Sequence, residues 1–376
     1  MIGVLGGGQL GQMLGLAGIP LGERFRFLDP AGDPPASAVG EHVRGAFDDP
    51  VALDRLAAGA RVVTYEFERV PAASARRIAA TVPVRPGPAA LEAAQDRLSE
   101  KRLFESVGLP VHAYRPVDTR EGLAQAADEL GLPLVVKARH GGYDGKGQAL
   151  VRDPDGIEAA WAALGGRPLL AEALVAFDRE VSIVAVRDPG GVTAAYPLVE
   201  NRHRDGILDL TLAPAPGAPP ELQAEAERHA AAVMGALDYV GVLCIELFEA
   251  GGRLLGNELA PRVHNSGHWT IEGARTSQFE NHLRAIGGLP LGPTDAIGHA
   301  AMVNLVGDEP DRAALLAVPG ARVHVYGKAP RPGRKLGHVT LVDEDPERLA
   351  TRLAAVRALV PGRSGPGVGA LAGGVG

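Results

Sequence analysis

Ile2-Gly3-Val4-Leu5-Gly6-Gly7-Gly8-Gln9-Leu10-Gly11 joins a short apolar run to a glycine turn, and a helical pattern continues from it through Leu16. That order reads as strand, tight turn and helix. A second strand over 25–28, ending at Asp29, and a third over 62–67 complete an α/β opening. The loop fits G-x-G-x-x-G, and Asp29 stands where a ribose-binding acid would, so a dinucleotide site is one reading. A tight turn with no ligand is a second reading. A cradle of backbone N–H groups for a sugar phosphate is a third. All three give the same fold class.

Working outward, the Pro-rich stretch 82–88 closes a first domain, 1–88, before a single predicted helix over 89–107. Strands over 134–138, 181–186 and 242–248 then alternate with helices over 120–130, 154–163 and 221–237, which reads as a mixed α+β region, 89–288. After Gly287-Gly288, strands over 300–306, 322–326 and 337–342 and a helix over 346–359 read as a small β-rich appendage, 289–362. The Gly-rich segment 363–376 reads as a flexible tail.

The formal charge of −7 and sequence pI near 5.9 oppose nucleic-acid binding, which needs surplus clustered cations. Cys244 is the only cysteine and cannot form an internal disulfide. Without a cationic signal segment or an apolar run of spanning length, the expectation is a cytoplasmic protein with no membrane partner. Arginine holds almost every basic position, and lysine stands only at Lys101, Lys137, Lys146, Lys328 and Lys335. A chain so biased should keep lysine where a compact point charge is needed. Lys101 has no evident task in the sequence, so Lys101→Arg is expected to be nearly silent.

His140-Gly141-Gly142-Tyr143-Asp144-Gly145-Lys146-Gly147 lies between two predicted strands. Four glycines around a lysine exceed what a hairpin turn requires and suit a flap closing over phosphates. Lys137 interrupts a buried-looking apolar run and needs an anion, which a triphosphate would supply. Glu246 and Glu258 lie on strands flanking Gly251-Gly252, and a hairpin there sets both carboxylates opposite each other on one face. Two such carboxylates need a shared cation, and oxygen ligands beside phosphates specify Mg²⁺, with Asn257 as a further ligand. Without metal their repulsion predicts that Glu258→Gln is neutral or stabilising. Arg262, His264, Asn265 and Ser266 follow at once, beside the metal, where cationic and polar donors suit an anionic intermediate. Lys328, Arg331, Arg334 and Lys335 cluster around Pro332-Gly333 and fit either a solvated turn or a phosphate monoester.

Together 6–13, 141–147, 257–269 and 331–338 resemble the 5-(carboxyamino)imidazole ribonucleotide synthases, ATP-grasp enzymes of purine biosynthesis, and the likeness runs across nearly the whole chain. The string Asn257-Glu258-Leu259-Ala260-Pro261-Arg262-Val263-His264-Asn265-Ser266-Gly267-His268-Trp269 carries it most specifically. The resemblance implies a Rossmann-like N-terminal domain, an ATP-grasp domain with a lid over about 112–176, and a small β-rich C-terminal domain. It also implies a homodimer, ATP and Mg²⁺ as cofactors, and bicarbonate and 5-aminoimidazole ribonucleotide as substrates. Arg97, Lys137 and the loop Gly142, Tyr143, Asp144, Gly145, Lys146, Gly147 and Gln148 would then bind ATP phosphates. Glu172, Ala173, Leu174 and Val175 would line the adenine pocket, Glu180 would hold ribose, and His203 with Asn257 and Glu258 would contact nucleotide or metal. Tyr143, Asp144 and Lys146 would close on the substrates, Arg262 to Ser266 would surround bicarbonate, and Lys328 with Arg331, Arg334 and Lys335 would take the ribonucleotide phosphate. Another ATP-grasp ligase, an NAD-dependent oxidoreductase and a nucleotide sensor without turnover are the alternatives.

Overall fold

The computed structural model describes residues 1–141, 147–309 and 311–360. The chain opens on a parallel four-stranded sheet in the order Glu41–Arg44, Phe25–Asp29, Ile2–Leu5, Val62–Tyr65. Ile2 pairs with both Phe25 and Val62, so the first strand is central and the glycine turn leaves from its carboxyl end. Ile2, Val4, Leu5 and Val63 are wholly buried, as expected of a parallel strand covered on both faces.

The predicted helix over 89–107 is two helices, Pro88–Gln95 and Arg97–Ser106. Asp96 divides them: its backbone is extended, and its carboxylate accepts from the Leu98 N–H at 3.1 Å. An aspartate that satisfies an orphan amide starts a new helix rather than continuing an old one.

An antiparallel four-stranded sheet follows in the order Tyr114–Val117, Leu169–Ala173, Leu134–Ala138, Gln148–Val151. Helices Arg120–Leu130 and Gly156–Leu164 cover one face. Leu134, Val136, Ala138, Leu169 and Ala171 point into that core, where each buried leucine or valine contributes about 1.5–3 kcal/mol. By the two-residue alternation of strands, Val135, Lys137 and Glu172 are turned to the other face.

The third and largest sheet has nine strands. Arg253–Ala260, Gly241–Ala250, Arg179–Arg187, Val199–Arg204 and Ile207–Ala213 lead, across the sheet, directly into His299–Val306, Lys335–Asp343 and Arg322–Val325, with Thr193–Ala195 added beside Arg179–Arg187. The C-terminal strands are therefore continuous with the central sheet. Leu210 pairs with Val303 and Leu212 with Ala301, so they extend the central sheet and bring the turn around Pro332 to its working face. A pairing of strands so far apart in the chain leaves no local pattern to read. Among the described residues no helix is long and apolar enough to cross a membrane.

Candidate active site

A cavity of about 1010 Å³ opens where the N-terminal sheet, the four-stranded antiparallel sheet and the nine-stranded sheet meet. Arg97, Lys137, Gln148, Glu172, Ala173, Leu174, Val175, Glu180, His203, Glu246, Asn257, Glu258, Arg262, His264, Asn265, Lys328, Arg331, Arg334 and Lys335 all line it. Ser266 lies wholly buried just behind, its Oγ 2.8 Å from His264 Nδ1. Gly147 is the residue at which the loop re-enters the described chain, its carbonyl accepting from the Ala138 N–H at 2.8 Å. Gly142, Tyr143, Asp144, Gly145 and Lys146 lie outside the described residues, as does the segment from Arg363.

Three glycine amides of the turn are already engaged. The Gly8 N–H donates to Glu66, the Gly11 N–H donates to Glu66 Oε2 at 2.7 Å, and the Gly7 N–H donates to Asp29 Oδ2 at 2.9 Å. Those three amides are spent on the chain's own carboxylates, while Gln9 and Leu10, the next residues of the turn, line the cavity. Its glycines serve this packing: a Cβ on Gly6 or Gly8 would collide with the Glu66 side chain. Gln9 reaches onward from the turn, bonded to Lys328 across the cavity.

Glu246 and Glu258 are direct partners, as the sequence predicts, through a β-bulge: the turn pairs Ala250 with Arg253, and the unshifted register would set Glu246 opposite Asn257. They do not, however, face each other bare. Glu246 Oε1 sits 3.0 Å from His264 Nε2, and Glu258 is bonded to Arg97. Burial alone would raise the Glu246 carboxyl, but the His264 hydrogen bond and the charges of His264, His203 and Lys335 hold it down at about 2. The stabilisation expected from Glu258→Gln without metal therefore disappears, because little repulsion remains to relieve. Glu246, Glu258 and the buried Asn257 Oδ1, which has no hydrogen-bond partner among the described residues, offer an all-oxygen donor set of the kind that Mg²⁺ takes.

Lys101 is the clear correction. It is wholly buried, donates to the carbonyls of Gly256 at 3.2 Å and Asn257 at 3.0 Å, and stands 3.4 Å from Glu172. The helical position gave no sign of this, because both carbonyls are remote in sequence. Lys101→Arg is expected to be destabilising by about 1–3 kcal/mol, since a larger, planar head must enter a filled site; urea midpoints of the two proteins check it.

Glu172 lines the cavity, yet its carboxylate is spent on neighbours: Lys137 at 2.5 Å, His112 at 3.3 Å and Lys101. Glu180 pairs with His203 Nδ1 at 2.5 Å. Arg262 is fixed by Glu68, whose carboxyl burial would raise but whose contact with Arg262 lowers it to about 2. Asn265 is held by Asn304 through a pair of side-chain bonds of 3.1 and 2.7 Å. For His264, burial opposes the charge, but Cys244 and Glu246 outweigh it and raise the ring above the ordinary imidazole range.

Sequence reasoning missed Glu66, Glu68, His112 and an aromatic wall in which Phe177 and Phe248 stack at 4.6 Å. Phe248 had a readable signal: it follows Glu246 by two residues on one strand and so shares its face. Glu66 had none, because what identifies it is the loop it fills.

Three family descriptions cover the chain: the ribonucleotide synthetase preATP-grasp domain over 1–95, the ATP-grasp domain over 102–279, and the phosphoribosylaminoimidazole carboxylase C-terminal domain over 300–352. An N5-carboxyaminoimidazole ribonucleotide synthase of Pseudomonas aeruginosa is 50% identical over 359 residues, covering 96% of this chain and 99% of that one. The crystal structure of N5-carboxyaminoimidazole ribonucleotide synthetase from Thermus thermophilus matches with a TM-score of 0.94 and 55% identity, over 97% of this chain and all of the other. A crystal structure of N5-carboxyaminoimidazole synthase from Aspergillus clavatus, in complex with ADP and 5-aminoimidazole ribonucleotide, matches with a TM-score of 0.90 and 33% identity over 96% of this chain and 98% of its own.

Proposed function

The chain belongs to the N5-carboxyaminoimidazole ribonucleotide synthase family, and we infer that it uses ATP and bicarbonate to carboxylate the amine of 5-aminoimidazole ribonucleotide, with release of ADP and phosphate. It is an ATP-grasp carbon–nitrogen ligase of purine biosynthesis. The observation that carries this reading is that one cavity gathers two sets of charged residues. Lys137 and Arg97 beside the oxygen set Glu246, Glu258 and Asn257 suit a triphosphate, whereas Lys328, Arg331, Arg334 and Lys335, on the turn before and the start of a C-terminal strand, suit a phosphate monoester.

Bicarbonate oxygen attacks the γ-phosphorus, ADP leaves, and the resulting carboxyphosphate carries carbon to the amine with loss of phosphate. No side-chain nucleophile is needed, so catalysis is positioning and charge neutralisation. Mg²⁺, held by Glu246, Glu258 and Asn257, would supply charge neutralisation on the transferring phosphoryl group. Arg262, oriented by Glu68, and His264, hydrogen-bonded to Glu246, meet the bicarbonate and carboxyphosphate charge. Phe177, Phe248 and the segment from Ala173 to Val175 offer an apolar wall to adenine, with the Glu172 carboxylate turned to Lys137, His112 and Lys101, and Glu180 with His203 offers polar groups to ribose. The loop from Gly142 to Lys146 is assigned to closure over the phosphates. A cytoplasmic homodimer, with domains at 1–88, 89–288 and 289–362, completes the reading.

At a nucleotide concentration about a hundred times Kd, ADP with Mg²⁺ is expected to stabilise the fold by about 2.7 kcal/mol, and NAD by nothing measurable. A thermal melt that rises with NAD and not with ADP would contradict the assignment.

Lys328 adds a pH dependence. Burial pushes its ammonium down to about 8, Arg334, Lys335 and Arg331 push the same way, and Glu66 resists. A phosphate monoester binds the charged form, so affinity is full below pH 8 and is lost as pH rises through it. KM for the ribonucleotide is expected to climb by about tenfold per pH unit above that point, with KM for ATP much flatter; initial rates from about pH 6.5 to about pH 9.5, spanning the titration, measure both.

A further inference from the structure

Lys101 lies outside the cavity lining, yet it touches both walls of the nucleotide site. Its helix, Arg97–Ser106, packs against the strand Arg253–Ala260 of the central sheet. To one side, its ammonium binds the Gly256 and Asn257 carbonyls, the strand that presents Glu258. To the other, it stands 3.4 Å from Glu172 Oε1, on the strand Leu169–Ala173.

The two oxygens of Glu172 are unequally engaged. Oε2 holds Lys137 at 2.5 Å and His112 at 3.3 Å, whereas Oε1 is buried without a hydrogen bond among the described residues and stands 3.4 Å from Lys101. The lysines differ too. The Lys101 side chain is 1% exposed, that of Lys137 12% and directed into the cavity. A nucleotide phosphate that recruits Lys137 must draw it off Glu172, and a buried carboxylate stripped of its cation is strongly disfavoured. Lys101 is already within a short shift of the unused oxygen.

We propose that Lys101 is a positioning residue of the nucleotide site, the resident counter-ion of Glu172 that lets Lys137 leave that carboxylate for a nucleotide phosphate. The idea rests on the reading of Lys137 as a phosphate ligand. A purely structural lysine would affect stability alone. A resident counter-ion predicts a nucleotide-specific loss that is reversed when the Glu172 charge is removed as well.

The test is calorimetric titration of each variant with ADP and Mg²⁺, together with KM for ATP and for the ribonucleotide. Lys101→Met keeps the length and removes the charge, and it is expected to weaken ADP binding and raise KM for ATP by about tenfold or more, leaving KM for the ribonucleotide nearly unchanged. The double variant Lys101→Met with Glu172→Gln is expected to recover ADP affinity to within about fivefold of wild type. Wild-type ADP affinity in a folded Lys101→Met protein, or a double variant no tighter than the single one, overturns the proposal. Should Lys101→Met not fold, the double variant, which lacks both buried charges, decides alone: recovery within that range supports the proposal and weaker binding overturns it. Lys137→Met separates the two layers. If it weakens ADP binding while Lys101→Met does not, only the proposal falls; if Lys137→Met binds ADP normally, the reading of Lys137 falls and the proposal with it.

Discussion

Glu258→Gln is expected to lower kcat by at least about a hundredfold, equivalent to about 2.7 kcal/mol of transition-state stabilisation, with the folded structure retained. The amide preserves the shape of the side chain at its place opposite Glu246 and can still accept from Arg97. What it loses is half of the carboxylate pair that would neutralise Mg²⁺ beside the phosphates. In a metal-free melt, two changes oppose each other: Arg97 loses a charged partner, and Glu100, whose carboxyl is raised by burial first and by Glu258 next, loses a repelling neighbour. The midpoint should therefore move little. A kcat near wild type would remove Glu258 from the metal site, and a large loss of metal-free stability would make its role structural.

Lys137→Arg should cut kcat/KM for ATP by about ten- to a hundredfold although it conserves charge. Lys137 rises from a strand whose alternate residues Leu134, Val136 and Ala138 are locked into the core beneath, so the backbone cannot yield to a longer side chain. Its ammonium fits against a carboxylate that is itself 2% exposed. A planar guanidinium, which pairs with a carboxylate through two hydrogen bonds, would not leave that slot for a phosphate. Steady-state kinetics decides the point, and unaltered kcat/KM would show that the rarity of lysine in this chain does not mark phosphate contacts.

What the sequence revealed and what it hid divide along one physical line. Features with a local signature were legible: the strand, turn and helix at Gly6 to Gly11, the lysine at Lys137 interrupting an apolar strand, and the hairpin that brings Glu246 near Glu258, though not the β-bulge that pairs them. Features made by chain closure were not. The C-terminal strands join the central sheet through Leu210 and Val303, a pairing with no local signature. Lys101 looked idle because its partners, Glu172, Gly256 and Asn257, come from two other sheets. The glycine turn misled in the opposite way: its pattern is that of an anion cradle, and it is one, but the anion is Glu66.

The most direct measurement of the account is the rate of ADP release with ATP and Mg²⁺ present and with bicarbonate and 5-aminoimidazole ribonucleotide supplied first separately and then together. A cavity that joins a triphosphate site to a phosphate-monoester site predicts full turnover only when every reactant is present, with N-carboxylated ribonucleotide appearing in step with ADP. Equal ADP release in the absence of the ribonucleotide would contradict it.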